Sequence, residues 1–372
     1  MSKKTVFNIE NEKSHKKCKM FLDDENEGVT IARYDDVKYP RVNKMYEKQL
    51  SFFWRPEEVE ISRDAAEFKK LSKHEQHIFT SNLKRQILLD SVQGRSPNLA
   101  FLPISTLPEV ETFIEAWSFS EGIHNNSYTH IIRNVYANPS IVFDEITNIP
   151  EIIDCAVDIS KYYDDLIEYN NYTAINGYDS KYTKYGHKTA LWKALMAVNI
   201  LEGIRFYVSF ACSWAFAENE LMEGNAKIIK LICRDENLHL GFTQFLLNNL
   251  EKDDPDYKKI REETNDECIQ MFVETVDQEK AWADYLFEGG SMLGLNSTVL
   301  KDYLEWLANK RMTAIRLESL YKVPQANPLP WTEDWITGGK TQNAPQETEI
   351  ESYLTGEIDK TVNSEGFKGF SL

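Results

Sequence analysis

Two stretches of this chain repeat one polar pattern on otherwise apolar helical faces, and no other feature restricts the fold as strongly. In the first, Asp90 is followed by Glu121 and His124; in the second, Glu202 is followed by Glu236 and His239. Glu-x-x-His sets an acid and an imidazole on one side of a helix, because residues three apart point the same way. Asp90 precedes Glu121 by 31 residues and Glu202 precedes Glu236 by 34, each enough for one helix, a turn and the next helix. A chain that supplies this set twice predicts an all-α bundle whose core holds a dinuclear metal site.

Local periodicity predicts helices around each of these residues. Phe68, Leu71, Ile78, Leu83 and Ile87 recur at helical intervals over 65–91, with Asp90 near the end and Gly94 and Pro97 as the stop. Pro108 with Glu109 and Glu111 opens a second helix, expected to run to Asn138, where Pro139 closes it. Its inward stripe reads Phe113, Trp117, Glu121, His124, Tyr128, Ile131 and Val135. Residues 188–218 are apolar nearly all round, with Glu202 in the middle, as a central bundle helix requires. A helix over 225–250 presents Ile229, Ile232, Glu236, His239, Thr243 and Leu246, and two more helical segments follow near 257–287 and 298–320. Residues 171–187 read as a loop or a short hairpin. The polar residues 1–28 read as a flexible arm, 29–340 as one helical domain, and the acidic residues 341–372 as a disordered tail. That tail ends with Phe367, Phe370 and Leu372, the apolar side chains needed to dock in a partner's groove.

Glu-x-x-His also occurs at Glu12 and His15, but in polar surroundings with no inward face. The other two matches lie on apolar stripes, where an unpaired carboxylate costs several kcal/mol unless a metal or a cation offsets it. Taken singly, His124 or His239 reads equally well as a hydrogen-bonded core histidine, and Glu202 as a partner of Arg205. Six such residues in this order favour metal binding. Carboxylate oxygens with one imidazole per metal suit Fe(II) or Mn(II), between which spacing does not choose, and the lack of thiolates disfavours structural zinc. Tyr128 lies one turn beyond His124, and Phe206, Phe210 and Ile232 are placed to wall it off from water.

Charge and composition narrow the partners. With 42 Lys and Arg against 59 Asp and Glu, a net charge of −17 repels a phosphate backbone, so nucleic acid is not expected. No Gly-rich phosphate loop is present. The N-terminus lacks the apolar core of a signal peptide, and the uncharged stretch Phe206 to Ala217 is too short to span a bilayer, so no membrane is expected. The five cysteines, Cys18, Cys155, Cys212, Cys233 and Cys268, form no C-x-x-C pair, which points to a reducing, cytoplasmic setting.

The segments QLSFFWRPEEVEISRD, SVQGRSPN, SEGIHNNSYTHIIRN, LEGIRFYVSFACSWAFAENELMEGNAKIIKLICRDENLH and APQETEIESYL closely resemble the small (beta) subunit of class I, aerobic ribonucleotide reductases of the bacterial and phage type. The likeness runs from about Ile31 to the C-terminus. It implies a ferritin-like all-α bundle with a di-iron carboxylate site in its core, Asp90, Glu121 and His124 binding one iron and Glu202, Glu236 and His239 the other, with glutamate bridging. Iron is preferred to manganese by this resemblance alone. It further implies that O2 and the two irons oxidise Tyr128 to a stable radical, and that Trp54 and Asp235 start an outward route by way of His124. Tyr353 and Glu347 in the tail would continue that route to the large (alpha) subunit, where ribonucleoside diphosphates are reduced, and the small subunit would be a homodimer. Without the resemblance Trp54 reads equally as a core aromatic. Another di-iron oxidase or desaturase would share the six ligands without needing Tyr128, Trp54 or Tyr353, and an iron-storage protein would leave the acidic tail unexplained.

Overall fold

The computed structural model describes residues 14–23 and 31–337, and among these the ordered elements are helices, with only isolated bridges such as Phe21 to Ser105 outside them. Helices α1 (Pro40–Ser51), α2 (Asp64–Phe68) and α3 (Lys73–Gln93) lead into α4 (Pro108–Val135). The short α5 (Pro139–Asp144) precedes α6 (Pro150–Asn176), α7 (Lys184–Ile200), α8 (Tyr207–Glu218) and α9 (Glu223–Asp253). Four more follow: α10 (Asp256–Glu263), α11 (Asn265–Leu286), α12 (Ser297–Ala314) and α13 (Thr332–Thr337). The central layer is α3, α4, α9 and the continuous run from α7 into α8; α1 covers α4 and α9, while α6 and α11 cover α7.

Local chemistry sets the helix ends. The helix expected over 65–91 divides because Ser72 starts α3 with a capping box, Glu75 N donating to Ser72 Oγ at 3.2 Å and Ser72 N to Glu75 Oε2 at 2.8 Å. α4 stops at Val135 rather than Asn138, because Pro139 holds Asn138 in extended backbone and begins α5. α9 has no N-cap of its own; its first amides, Gly224 N and Asn225 N, donate to Asp64 of α2 at 3.2 and 2.7 Å. A Cβ on Gly224 would lie 2.6 Å from Ile61 Cγ2, so only glycine lets the segment before α2 approach α9 this closely.

Three expectations need correction. Residues 171–187 form no hairpin: α6 continues to Asn176, Gly177 at φ +79° ends it, and Thr183 caps α7 through Gly186 N at 2.9 Å. The helix expected over 188–218 is widened at Leu201–Arg205 into a π-helical turn that contains Glu202. The arm expected over 1–28 is docked over its described part, with Cys18, Met20, Phe21 and Leu22 buried. There, Leu22 N donates to Ile104 O at 3.0 Å, Thr106 N to Met20 O at 3.1 Å, and Lys19 pairs with Asp254 at 2.6 Å. The run Lys184–Glu218 is 35 residues long and apolar enough by composition to cross a membrane, well beyond the stretch Phe206 to Ala217 taken alone. Its most apolar window is buried inside the protein, as a core helix would be.

Behind the central layer, Arg85 of α3 pairs with Glu279 of α11, both buried, and Arg205 NH1 lies 3.7 Å from the same carboxylate. Removing one partner strands a charge in a dry interior. Glu279→Leu is therefore expected to destabilise the protein by about 3–5 kcal/mol, read as a lower urea midpoint. An unchanged midpoint would mean that Arg85 is satisfied without Glu279, its NH1 already donating to Glu151 O at 3.1 Å.

Candidate metal centre

The central layer brings six side chains to one buried volume. Asp90 lies in the last turn of α3, Glu121 and His124 share a face of α4, Glu202 sits in the π turn, and Glu236 and His239 share a face of α9; none is exposed. Their possible ligand atoms form two overlapping groups, Asp90–Glu121–His124–Glu236 and Glu121–Glu202–Glu236–His239, each with atoms within 4.8 Å of one another. Glu121 and Glu236 belong to both groups, so they are the carboxylates placed to bridge, with Asp90 and Glu202 at the two ends. His124 Nδ1 lies 3.1 Å from Glu121 Oε2 and 3.1 Å from Glu236 Oε1. His239 Nδ1 lies 3.2 Å from Glu121 Oε1 and 3.6 Å from Glu236 Oε2.

Protein atoms alone leave this cluster unsatisfied. Both oxygens of Asp90, both of Glu236, Glu202 Oε2 and the ring nitrogens of His239 lack hydrogen-bond partners, a costly state for buried polar atoms. Burial, reinforced by the charges of Glu121 and Glu236, pushes the carboxyls of Asp90 and Glu202 well above their usual range. Burial pushes Glu121 upward too, but His124 and His239 outweigh it and bring it to about 2. Burial works against a charged His239, yet the close carboxylates of Glu121 and Glu236 raise it to about 9. Protons thus compensate where cations would. Four carboxylate charges balance two divalent cations, and the oxygen-rich donor set with one imidazole per group, including no thiolate, fits first-row divalent metals. Arg205 is not the partner of Glu202: it pairs with Asp158 at 2.8 Å and faces Glu279.

A hydrogen-bonded chain leaves the cluster toward α1. His124 Nε2 lies 3.2 Å from Asp235 Oδ2, and the same oxygen accepts from Trp54 Nε1 at 2.9 Å. With Nδ1 facing the carboxylates, the Nε2 proton points to Asp235, the orientation a carboxylate gives a ligating histidine. Trp54 and Asp235 are buried. Tyr128 is buried as well, its hydroxyl beside Asp90 without a well-formed hydrogen bond, and burial together with the Asp90 charge raises its pKa well above the usual phenol value. Phe206, Phe210 and Ile232 are all buried, the two phenyl rings stacked at 5.6 Å. Glu347 and Tyr353 lie outside the described residues.

Two polar contacts to the cluster were not singled out from sequence. Trp117, read as part of the packing stripe, donates through Nε1 to Glu121 Oε1 at 3.0 Å. Gln93 donates through Nε2 to Glu202 Oε1 at 2.8 Å. Its position three residues after Asp90, on the same face of α3, is the signal that would have found it.

Residues 32–328 match the family model described as ribonucleotide reductase, small chain. The ribonucleoside-diphosphate reductase subunit beta of Buchnera aphidicola subsp. Baizongia pistaciae is 53% identical over 356 residues, 93% of this chain and 94% of that protein. Ribonucleoside-diphosphate reductase 1 subunit beta of Escherichia coli O157:H7 is 52% identical over 355 residues, 92% of this chain and 94% of that protein. Among solved structures, the ribonucleotide reductase R2 subunit from Clostridium botulinum matches with a TM-score of 0.76 at 27% identity, covering 90% of this chain and 99% of that one.

Proposed function

Because this chain belongs to the ribonucleotide reductase small-chain family and is a small subunit of ribonucleoside-diphosphate reductase, we propose that it generates a radical on Tyr128 and passes the oxidising equivalent to a large subunit. The observation that carries this reading is the pair of overlapping ligand groups with a buried, unpartnered phenol beside Asp90. Asp90, Glu121, His124 and Glu236 would hold one ion, and Glu121, Glu202, Glu236 and His239 the other. Two iron ions held there would supply, with O2, the oxidising power for Tyr128; manganese is the less favoured occupant, on the resemblance alone.

The chain's own residues then do three things. Tyr128 gives up an electron and its hydroxyl proton, with Asp90 the nearest carboxylate to influence that proton. Phe206, Phe210 and Ile232 exclude water and small reductants from the phenol. His124, Asp235 and Trp54 hold a continuous run of polar hydrogens from the cluster toward the face covered by α1. The acidic residues 341–372, with Glu347 and Tyr353, would extend this route and bind the large subunit, and the small subunit would act as a homodimer. Cys155, Cys212, Cys233 and Cys268 are buried free thiols, which supports a cytoplasmic setting.

Low-temperature EPR of metal-free protein treated with Fe(II) and O2 tests the reading. A tyrosyl signal supports it; two irons bound per chain with no organic radical would reassign the protein as a di-iron oxidase or a manganese-dependent relative. Trp54→Phe removes the Nε1–H that meets Asp235. The tyrosyl signal is expected to persist in that variant, while turnover with the large subunit falls by at least about 10–100-fold. Undiminished turnover would remove Trp54 from the route.

A further inference from the structure

The two ends of the metal cluster are not held alike. Glu202 has one oxygen engaged, since Oε1 accepts from Gln93 Nε2 at 2.8 Å, and one without a partner, Oε2. Asp90 has only the Tyr128 hydroxyl beside it, in no well-formed hydrogen bond, and no amide donor on either oxygen. Gln93 is itself fully buried, and its Oε1 accepts from the hydroxyl of Tyr163 on α6 at 2.5 Å.

This arrangement removes the ambiguity of an amide. Were Gln93 turned over, its carbonyl oxygen would face the Glu202 carboxylate, and two acceptors would meet in a dry interior. By donating to the carbonyl, the Tyr163 hydroxyl keeps the amide N–H directed at Glu202. The position of Gln93 is secured in turn at the end of α3, where Asn125 Nδ2 of α4 donates to Asp90 O and Glu121 O, each at 3.0 Å. At the next residue a Cβ on Gly94 would lie 3.0 Å from Asp90 O and 3.3 Å from Asn125 Nδ2, so the helix end is seated tightly against α4. Glu202 belongs to a π turn, a segment without a regular α-helical bond pattern to hold it, and so gains most from a clamp.

We propose that Gln93 and Tyr163 are positioning residues that orient Glu202 toward its metal through Oε2 alone, making the Glu121–Glu202–Glu236–His239 position the tighter of the two. This rests on the two-metal reading of the centre. Asp90, unclamped, is free to ligate through either oxygen or both, and its position fills second.

The test is a titration of full-length, metal-free protein with Mn(II) alone, EPR distinguishing free, isolated and coupled manganese, on wild type, Tyr163→Phe, Gln93→Leu and a packing control, Phe101→Leu. Phe101 touches Tyr163, with ring centroids 5.9 Å apart, but lies outside the hydrogen-bond chain. Wild type is expected to take two ions per chain with unequal affinity. Tyr163→Phe and Gln93→Leu should weaken one position by about 10–100-fold, so that isolated manganese replaces the coupled signal at two equivalents. The ion they retain should depend on Asp90, and adding Asp90→Asn should release it. Phe101→Leu should leave both affinities unchanged. Wild-type affinities in both clamp variants, or an equal loss in Phe101→Leu, would overturn the clamp. Failure of wild type to bind two ions would instead overturn the two-metal reading beneath it.

Discussion

Tyr128→Phe is expected to abolish the tyrosyl EPR signal after treatment with Fe(II) and O2, and to lower nucleotide reduction by about 10³-fold or more, the scale of loss when a group that performs the chemistry is removed. The substitution deletes one oxygen from a ring that is fully buried, and that oxygen makes no hydrogen bond. No partner is stranded by its loss, so the unfolding midpoint should be unchanged or slightly higher. Metal content should also match wild type, since Tyr128 belongs to neither ligand group. The effect is thus confined to the radical. A signal that survives would move the radical to another buried tyrosine, with Tyr163 and Tyr207 the first to examine.

Glu236→Ala is expected to cost both metal ions, where Asp90→Asn should cost one. Both oxygens of Glu236 face the cluster without other partners, and the residue is common to both ligand groups. Ligand present at 100 times its Kd stabilises a folded protein by about 2.7 kcal/mol per site. For a domain of this size that corresponds to a rise in Tm of roughly 3–5 °C per site, measured by calorimetry with and without the metal. The variant should show no such rise. Its metal-free form should be at least as stable as metal-free wild type, because one of four mutually repelling buried carboxylates is gone. A variant that still takes two ions with the wild-type rise in Tm would mean that Glu236 is not shared.

Periodicity revealed the helices of the centre because each ligand lies on an apolar stripe, and Glu-x-x-His is a spacing that helical geometry alone turns into a shared face. Other features depended on contacts distant in sequence. Cys18 to Leu22 sit among lysines, and their burial is decided by Ile104 and Thr106, which no local pattern connects to them. The π turn at Glu202 adds width to a helix without altering its composition, with Gly203 as its only local trace. Helix α6 went unmarked although Pro150 and Glu151 announce its start, and its final turn was read as loop because Tyr and Asn are frequent there. Gln93 and Tyr163 are ordinary helix residues until the neighbouring helices set them side by side.

The start of α9 is finished by a carboxylate 160 residues upstream, Asp64, whose two oxygens take the first amides of the helix that provides Asp235, Glu236 and His239. Contacts of such long range are made late when a chain folds, because the loop between them must close before they repay its entropy. The ligands of the centre likewise come from segments as far apart as Asp90 and His239. Metal therefore does not nucleate this protein in the way it nucleates a zinc finger. On this ordering the helices would assemble first around a cluster of protons and unpaired oxygens, and ions would enter a cage already built, making loading a step of maturation separate from folding.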